Sequence, residues 1–259
     1  MVPARKRAWS MLCCSGRIMD ASLQGKILAS RVYPEFFPVS PGETVLHAGC
    51  GEGAQMLAYG FVSSKKGDTG RVVCVDVQEL RVNTTLRHAR EAGISDIEAR
   101  MADLEALPFQ DAVFDRIVAV DIIQHVLNPQ RVFAEFRRVL KPGGELLITF
   151  PALQHYLLTK ISRWKNKKGH PSSSWHPDAF NHNLPLSRWL TMGRASGLTF
   201  VRSHATTLMP PMHRYGIKRF WFSNDVIHRI DWFFGGLPGF KRLGQALMVV
   251  YQKQLTAYR

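Results

Sequence analysis

Three stretches of this chain carry groups suited to holding a nucleoside. Residues 45–53 read Val-Leu-His-Ala-Gly-Cys-Gly-Glu-Gly, an apolar run that opens into a glycine-rich turn. Glycines there let the backbone turn sharply and approach a bulky ligand closely. Asp76 follows the apolar run Val72-Val73-Cys74-Val75, where its carboxylate can accept both hydroxyls of a ribose. Asp103 lies in Ala102-Asp103-Leu104-Glu105-Ala106-Leu107-Pro108-Phe109, and its carboxylate can accept from an exocyclic amine of adenine, with Met101, Ala102 and Leu104 near the ring. The first two features fit two kinds of cofactor. Gly49, Gly51 and Ala54 satisfy the dinucleotide spacing G-x-G-x-x-A, so nicotinamide binding stands beside other adenosine ligands. Asp103 and its proline-containing loop have no role in a dehydrogenase. Three histidines, His125, His176 and His182, are candidate bases, because an imidazole titrates near neutrality.

The elements that must position these groups alternate between strand and helix. Residues 44–48 read as a buried strand, and 71–75, 97–101, 116–120 and 145–150 as the strands that follow it. Residues 54–64, 79–92 and 129–140 read as helices. In the last of these, Val132, Phe133, Phe136, Val139 and Leu140 make one apolar stripe, and Lys141-Pro142-Gly143-Gly144 stops it. This alternation predicts a parallel α/β sheet with helices on both faces and right-handed crossovers. Ligands of such sheets bind beyond the carboxyl ends of the strands, where strand order reverses. Residues 198–203 and 246–252 complete a seven-stranded, Rossmann-like sheet as an antiparallel pair.

The stretch from Val45 to Phe150 resembles the class I S-adenosylmethionine-dependent methyltransferases. Its nearest likeness is the branch that includes the ubiquinone and menaquinone biosynthesis C-methyltransferases and many small-molecule O-methyltransferases. The motifs that carry the likeness are Gly49-Cys50-Gly51-Glu52-Gly53, Val75-Asp76, Ala102-Asp103 with Leu107-Pro108-Phe109, Phe114-Asp115, and Val139-Leu140-Lys141-Pro142-Gly143-Gly144. The resemblance implies that S-adenosyl-L-methionine is the cofactor. It further implies that Gly49, Gly51 and Asp121 border the methionine part, that Asp76 binds the ribose, and that Ala102, Asp103 and Leu104 bind the adenine. It places His125 toward the acceptor. His47 departs from the pattern, because the family usually has an acidic residue there that helps orient the cofactor's amino group. A neutral imidazole can accept a hydrogen bond in that place, but a charge is lost.

Length and charge bound the remainder. A chain of 259 residues supports one well-buried domain with insertions. Residues 1–40 read as a helical lead-in, 41–150 as the cofactor-binding core, and 151–259 as the end of the sheet plus lid insertions over the acceptor. The net charge of +14 is uneven: +4 in residues 1–40, −3 in 41–150 and +13 in 151–259. Such a field attracts anions, whether phosphates, nucleic acid or an acidic membrane surface. In the basic half, aromatic residues alternate with Lys and Arg, and residues 218–234 fit an amphipathic helix. The expected partner is a small-molecule or lipid-like acceptor, lipophilic or anionic, with peripheral membrane association through this half. Nucleic acid is the alternative, and a non-catalytic cofactor-binding module a third reading. After the fourth strand the chain reads Asp121-Ile122-Ile123-Gln124, which lacks the Asn-Pro-Pro-aromatic or Asp-Pro-Pro-aromatic tetrapeptide of enzymes that methylate amino groups of nucleic acid.

The four cysteines show no CxxC spacing, so no metal site is expected, and Cys50 and Cys74 read as buried thiols of a reducing compartment. No apolar run reaches the roughly 18 residues of a membrane span. Arg5-Lys6-Arg7 and the short apolar stretch after it, broken by Ser10, read as amphipathic lead-in and not as a signal peptide. A cytoplasmic protein, at most peripheral at the membrane, is expected.

Overall fold

The computed structural model describes residues 36–40, 42–53, 71–91, 97–152, 182, 184–206, 232–240, 243–244 and 246–255. Seven strands form one sheet: β1 (Thr44–Ala48), β2 (Arg71–Asp76), β3 (Ile97–Met101), β4 (Phe114–Ala119), β5 (Leu140–Pro151), β6 (Leu198–Thr206) and β7 (Ala246–Lys253). Their spatial order is β3-β2-β1-β4-β5-β7-β6. The first five are parallel, and β7 runs antiparallel to both β5 and β6. Strand order reverses between β1 and β4, so the ligand crevice lies beyond Ala48 and Ala119.

Alternation of side chains builds two cores. Leu46, Ile117, Leu146 and Ile148 face one side, packed by Phe133 and Phe136 of α2 (Pro129–Val139) and Trp189 of α3 (Leu186–Ala195). Val45, Val72, Cys74, Val118 and Leu147 face the other, covered in part by Phe36, Phe37 and Val39. Each large side chain so buried contributes roughly 1.5–3 kcal/mol. Helix α1 (Glu79–Glu91) packs against β2 and β3.

Helix α2 starts where Asn128 accepts from the Arg131 N–H at 3.2 Å and Pro129 takes the first turn. It ends at Val139, because Leu140 is already extended and pairs with Phe114. Residues 141–144, expected only to stop the helix ahead of a strand at 145–150, lie within β5 as an irregularity: the register with β4 shifts before Arg116 meets Glu145, and Gly143 has φ +80°. Helix α3 was not expected. Its apolar positions Leu186, Trp189 and Leu190 have helical spacing, but Gly193 in the last turn disguises it. That glycine is required by packing, since a Cβ there would lie 2.6 Å from the Tyr251 ring. The expected helix at 54–64 and most of the lead-in at 1–40 lie outside the described residues, as does most of the amphipathic stretch at 218–234.

Asp115, one of the motif residues, belongs to the amino-terminal edge of the sheet. It accepts from the Thr44 N–H at 2.9 Å and from Lys141 Nζ at 2.8 Å, which joins β1, β4 and β5 away from the crevice. Arg116 supports the same edge through Glu43 and Glu145. These residues are structural.

Candidate active site

The glycine loop begins one residue past β1. Gly49, Gly51 and Gly53 have φ of +67°, +54° and +82°, values that penalise any side chain. At Gly49 the need is also steric, because a Cβ would lie 2.5 Å from Ile122 Cγ1. The loop is held from below by α1. Thr85 Oγ1 donates to Gly51 O at 3.0 Å, and His88 Nδ1 meets Glu52 O at 2.8 Å. Both side chains are buried, and sequence reasoning had assigned neither to the site.

Asp76 is the joint of the site. Its Oδ2 accepts from the Gly51 N–H at 2.9 Å and its Oδ1 from the Gln78 N–H at 3.1 Å. Its own carbonyl accepts from the Ala102 N–H at 3.1 Å. The loop after β1, the end of β2 and the end of β3 are therefore bonded to one another through this residue. Each carboxylate oxygen keeps a lone pair for an incoming hydroxyl. Asp103 Oδ1 accepts from the Glu105 N–H at 2.9 Å, which fixes the carboxylate over its own turn. Met101 is exposed beside it, whereas Leu104 turns its side chain into the core. That loop is clamped to α2: Arg138 donates to the carbonyls of Leu107 and Phe109 at 3.0 and 2.7 Å, and Glu135 accepts from the Leu107 N–H at 2.8 Å. The Arg138 guanidinium in turn holds the Glu135 carboxyl below its usual range.

Past β4, Asp121 takes φ +53°, a strained value for a non-glycine residue, and its N–H donates to Thr149 Oγ1 at 2.8 Å. A single 3-10 turn, Ile123–His125, follows. His182 clamps it: the backbone N–H donates to Gln124 O at 2.9 Å and Nε2 meets Val126 O at 2.9 Å. A carbonyl can only accept, so Nε2 carries the proton there. His125 Nε2 lies 3.2 Å from Gln124 Nε2. His125 and His182 thus share one segment at the crevice, while His176 lies outside the described residues. Two buried polar atoms of this region, Gln124 Oε1 and Trp189 Nε1, make no hydrogen bond. Neither had been singled out, since only the tertiary fold brings α3 and the 3-10 turn together around His182.

His47 is 2% exposed, and neither ring nitrogen is hydrogen-bonded. Burial lowers its pKa to about 4, so the ring is neutral at physiological pH. It therefore offers a neutral polar atom two residues before Gly49. Its register partner on β2 is Cys74. The Cys74 thiol is pushed up by the hydrogen bond it makes with Cys50 and by burial, and the same bond, with help from Thr85, pulls Cys50 down. Among the described residues no group of His, Cys, Asp or Glu side chains has the geometry of a metal site.

Residues 46–148 match the methyltransferase domain family. The chain carries a class I S-adenosylmethionine-dependent methyltransferase domain. Its cofactor is S-adenosylmethionine, and the donor set fits: glycine backbone at the loop, the Asp76 carboxylate with lone pairs to spare, and the unbonded imidazole of His47. Among relatives, 24-methylenesterol C-methyltransferase 2 of Oryza sativa subsp. japonica is 35% identical over 121 residues, covering 45% of this chain and 32% of that protein. The ubiquinone/menaquinone biosynthesis C-methyltransferase UbiE of Enterobacter sp. (strain 638) is 35% identical over 111 residues, covering 42% and 43%. The chain spans less than half the length of either. The crystal structure of an S-adenosylmethionine-dependent methyltransferase from Methanosarcina mazei superposes with a TM-score of 0.60 at 16% identity, covering 88% of this chain and all of that one, and shares the fold.

Proposed function

We propose that this protein transfers the methyl group of S-adenosylmethionine to a small, lipophilic acceptor. The observation that carries the reading is the bonding of three strand ends through Asp76, which makes one continuous cradle for an adenosine. When bound, the cofactor supplies a sulfonium-activated methyl, electrophilic without further help. What the chain must do is align and exclude water. In this reading Asp76 accepts the ribose hydroxyls and Asp103 the adenine amine. His47 meets the methionine end as a neutral acceptor. Asp121 and the 3-10 turn border the space where the acceptor enters. His125 or His182 takes a proton where the acceptor is a hydroxyl.

The lipophilic class is supported by the relatives, a 24-methylenesterol C-methyltransferase and a ubiquinone/menaquinone biosynthesis C-methyltransferase. The basic half, +13 over residues 151–259, favours an anionic neighbour, and nucleic acid is the second reading. Incubation of the protein and methyl-labelled cofactor with fractionated cell extract separates them. Label in the lipid fraction is expected. Label confined to RNA would replace the acceptor class, and cofactor binding without any label transfer would leave a binding module.

A further inference from the structure

The connection between β6 and β7 carries an apolar ledge that the methyl-transfer reading does not use. Strands β5 and β6 both run antiparallel to β7, so Thr206 ends at the same sheet edge as Pro151, and Ala246 starts β7 opposite both. The chain leaves and returns at the edge that holds the crevice. Trp232 fixes the ledge to the sheet. Its ring stacks on His204 at 4.4 Å, and its carbonyl meets His204 Nε2 at 2.9 Å. Gly235 lies so close to β6 that a Cβ would come within 2.5 Å of Ala205 O.

The other side of the ledge faces solvent. Phe233 is 65% and Leu243 47% exposed, and Phe234, Leu237 and Phe240 are exposed with them. The rings of Phe233 and Phe234 lie 5.2 Å apart, and those of Phe234 and Phe240 5.1 Å. Successive turn bonds, from Leu237 N–H to Phe234 O and from Phe240 N–H to Leu237 O, hold these side chains on a short, fixed surface. A contiguous apolar patch in water marks a partner.

We infer that this ledge inserts into the headgroup region of an anionic lipid bilayer. Charge complementarity favours that occupant over a second copy of the chain. The half that carries the ledge is +13, and Lys241 and Arg242 stand in sequence between Phe240 and Leu243. A second copy would bring the same positive field against it. Phenylalanine and leucine beside Lys and Arg match the boundary between acyl chains and anionic headgroups. No helix among the described residues is long and apolar enough to cross a membrane, so the attachment is at the surface. The inference rests on the proposed lipophilic acceptor only for its purpose, which is to bring the ligand crevice to where such an acceptor dissolves.

The test is co-sedimentation of the full chain with vesicles of phosphatidylcholine alone and of phosphatidylcholine mixed with phosphatidylglycerol. The expected result is binding to the mixed vesicles that weakens with salt. The Phe233→Ser, Phe234→Ser double variant alters only exposed side chains. It should keep its melting temperature and its affinity for S-adenosylhomocysteine while vesicle partitioning falls about tenfold or more. Absence of binding to the mixed vesicles overturns the inference. So does undiminished binding of the double variant, which would make the attraction purely electrostatic. A dimer in sedimentation velocity that the double variant loses, without vesicle binding, assigns the ledge to a second copy. Vesicle binding by a protein that does not bind S-adenosylhomocysteine leaves the ledge standing and removes the methyltransferase reading.

Discussion

His47 is a buried imidazole with no hydrogen bond, and this has a measurable consequence for stability. Its folded pKa of about 4 lies below the unfolded value of 6.5. Between those values the unfolded chain binds more protons, so stability rises with pH. The contribution is complete above pH 6.5 and is lost as the pH falls toward 4, by roughly 3 kcal/mol in all. Chemical denaturation of wild type and His47→Leu from pH 7 to pH 5 should show a steeper loss in wild type. At pH 7 the leucine variant should be more stable by roughly 1–3 kcal/mol, because an unsatisfied polar group leaves the interior. Equal slopes would mean that water or a neighbour satisfies the ring. Gly49 gives a second test at this scale. Gly49→Ala forces a Cβ toward Ile122 at a φ of +67°, and should cost roughly 1–3 kcal/mol in the same measurement.

At the scale of elements, the loop carrying Asp103 is held by Arg138 from α2 as well as by its own turn bonds. Arg138→Met keeps the length of the side chain and removes five donor contacts. It should lower affinity for S-adenosylhomocysteine several-fold, about 1 kcal/mol, as read by calorimetric titration, with the sheet intact by circular dichroism. Unchanged affinity would show that the turn at Asp103 is self-supporting. The strands β1 and β3 were legible to the residue, β1 as a mainly apolar run ended by glycine and β3 as an alternation of apolar and charged residues. The glycine loop, Asp76 and Asp103 were legible as types at strand ends. What holds them was not. Thr85, His88, Thr149 and Glu135 act across 28 to 36 residues of chain, and nothing local marks a threonine as the partner of a distant amide. The same holds for the bulge at 141–144, where a proline-glycine-glycine string reads as a turn until Phe114 claims Leu140.

Across the whole molecule, the chain divides its charge as it divides its work. The near-neutral core holds the proposed cofactor cradle, and the basic half supplies β6, β7 and the apolar ledge between them. The connection that carries the ledge and the crevice lie at the same end of the strands, with β5 and β7 standing between β4 and β6. The central claim is that Gly51, Asp76 and Ala102 form one bonded cradle for an adenosine. Isothermal titration of S-adenosylhomocysteine into wild type and Asp76→Ala tests it most directly. Wild type should bind one ligand per chain, and the variant should lose affinity by about tenfold to a hundredfold, the worth of hydrogen bonds to a charged group. No binding to wild type, or equal binding by both proteins, would contradict the account.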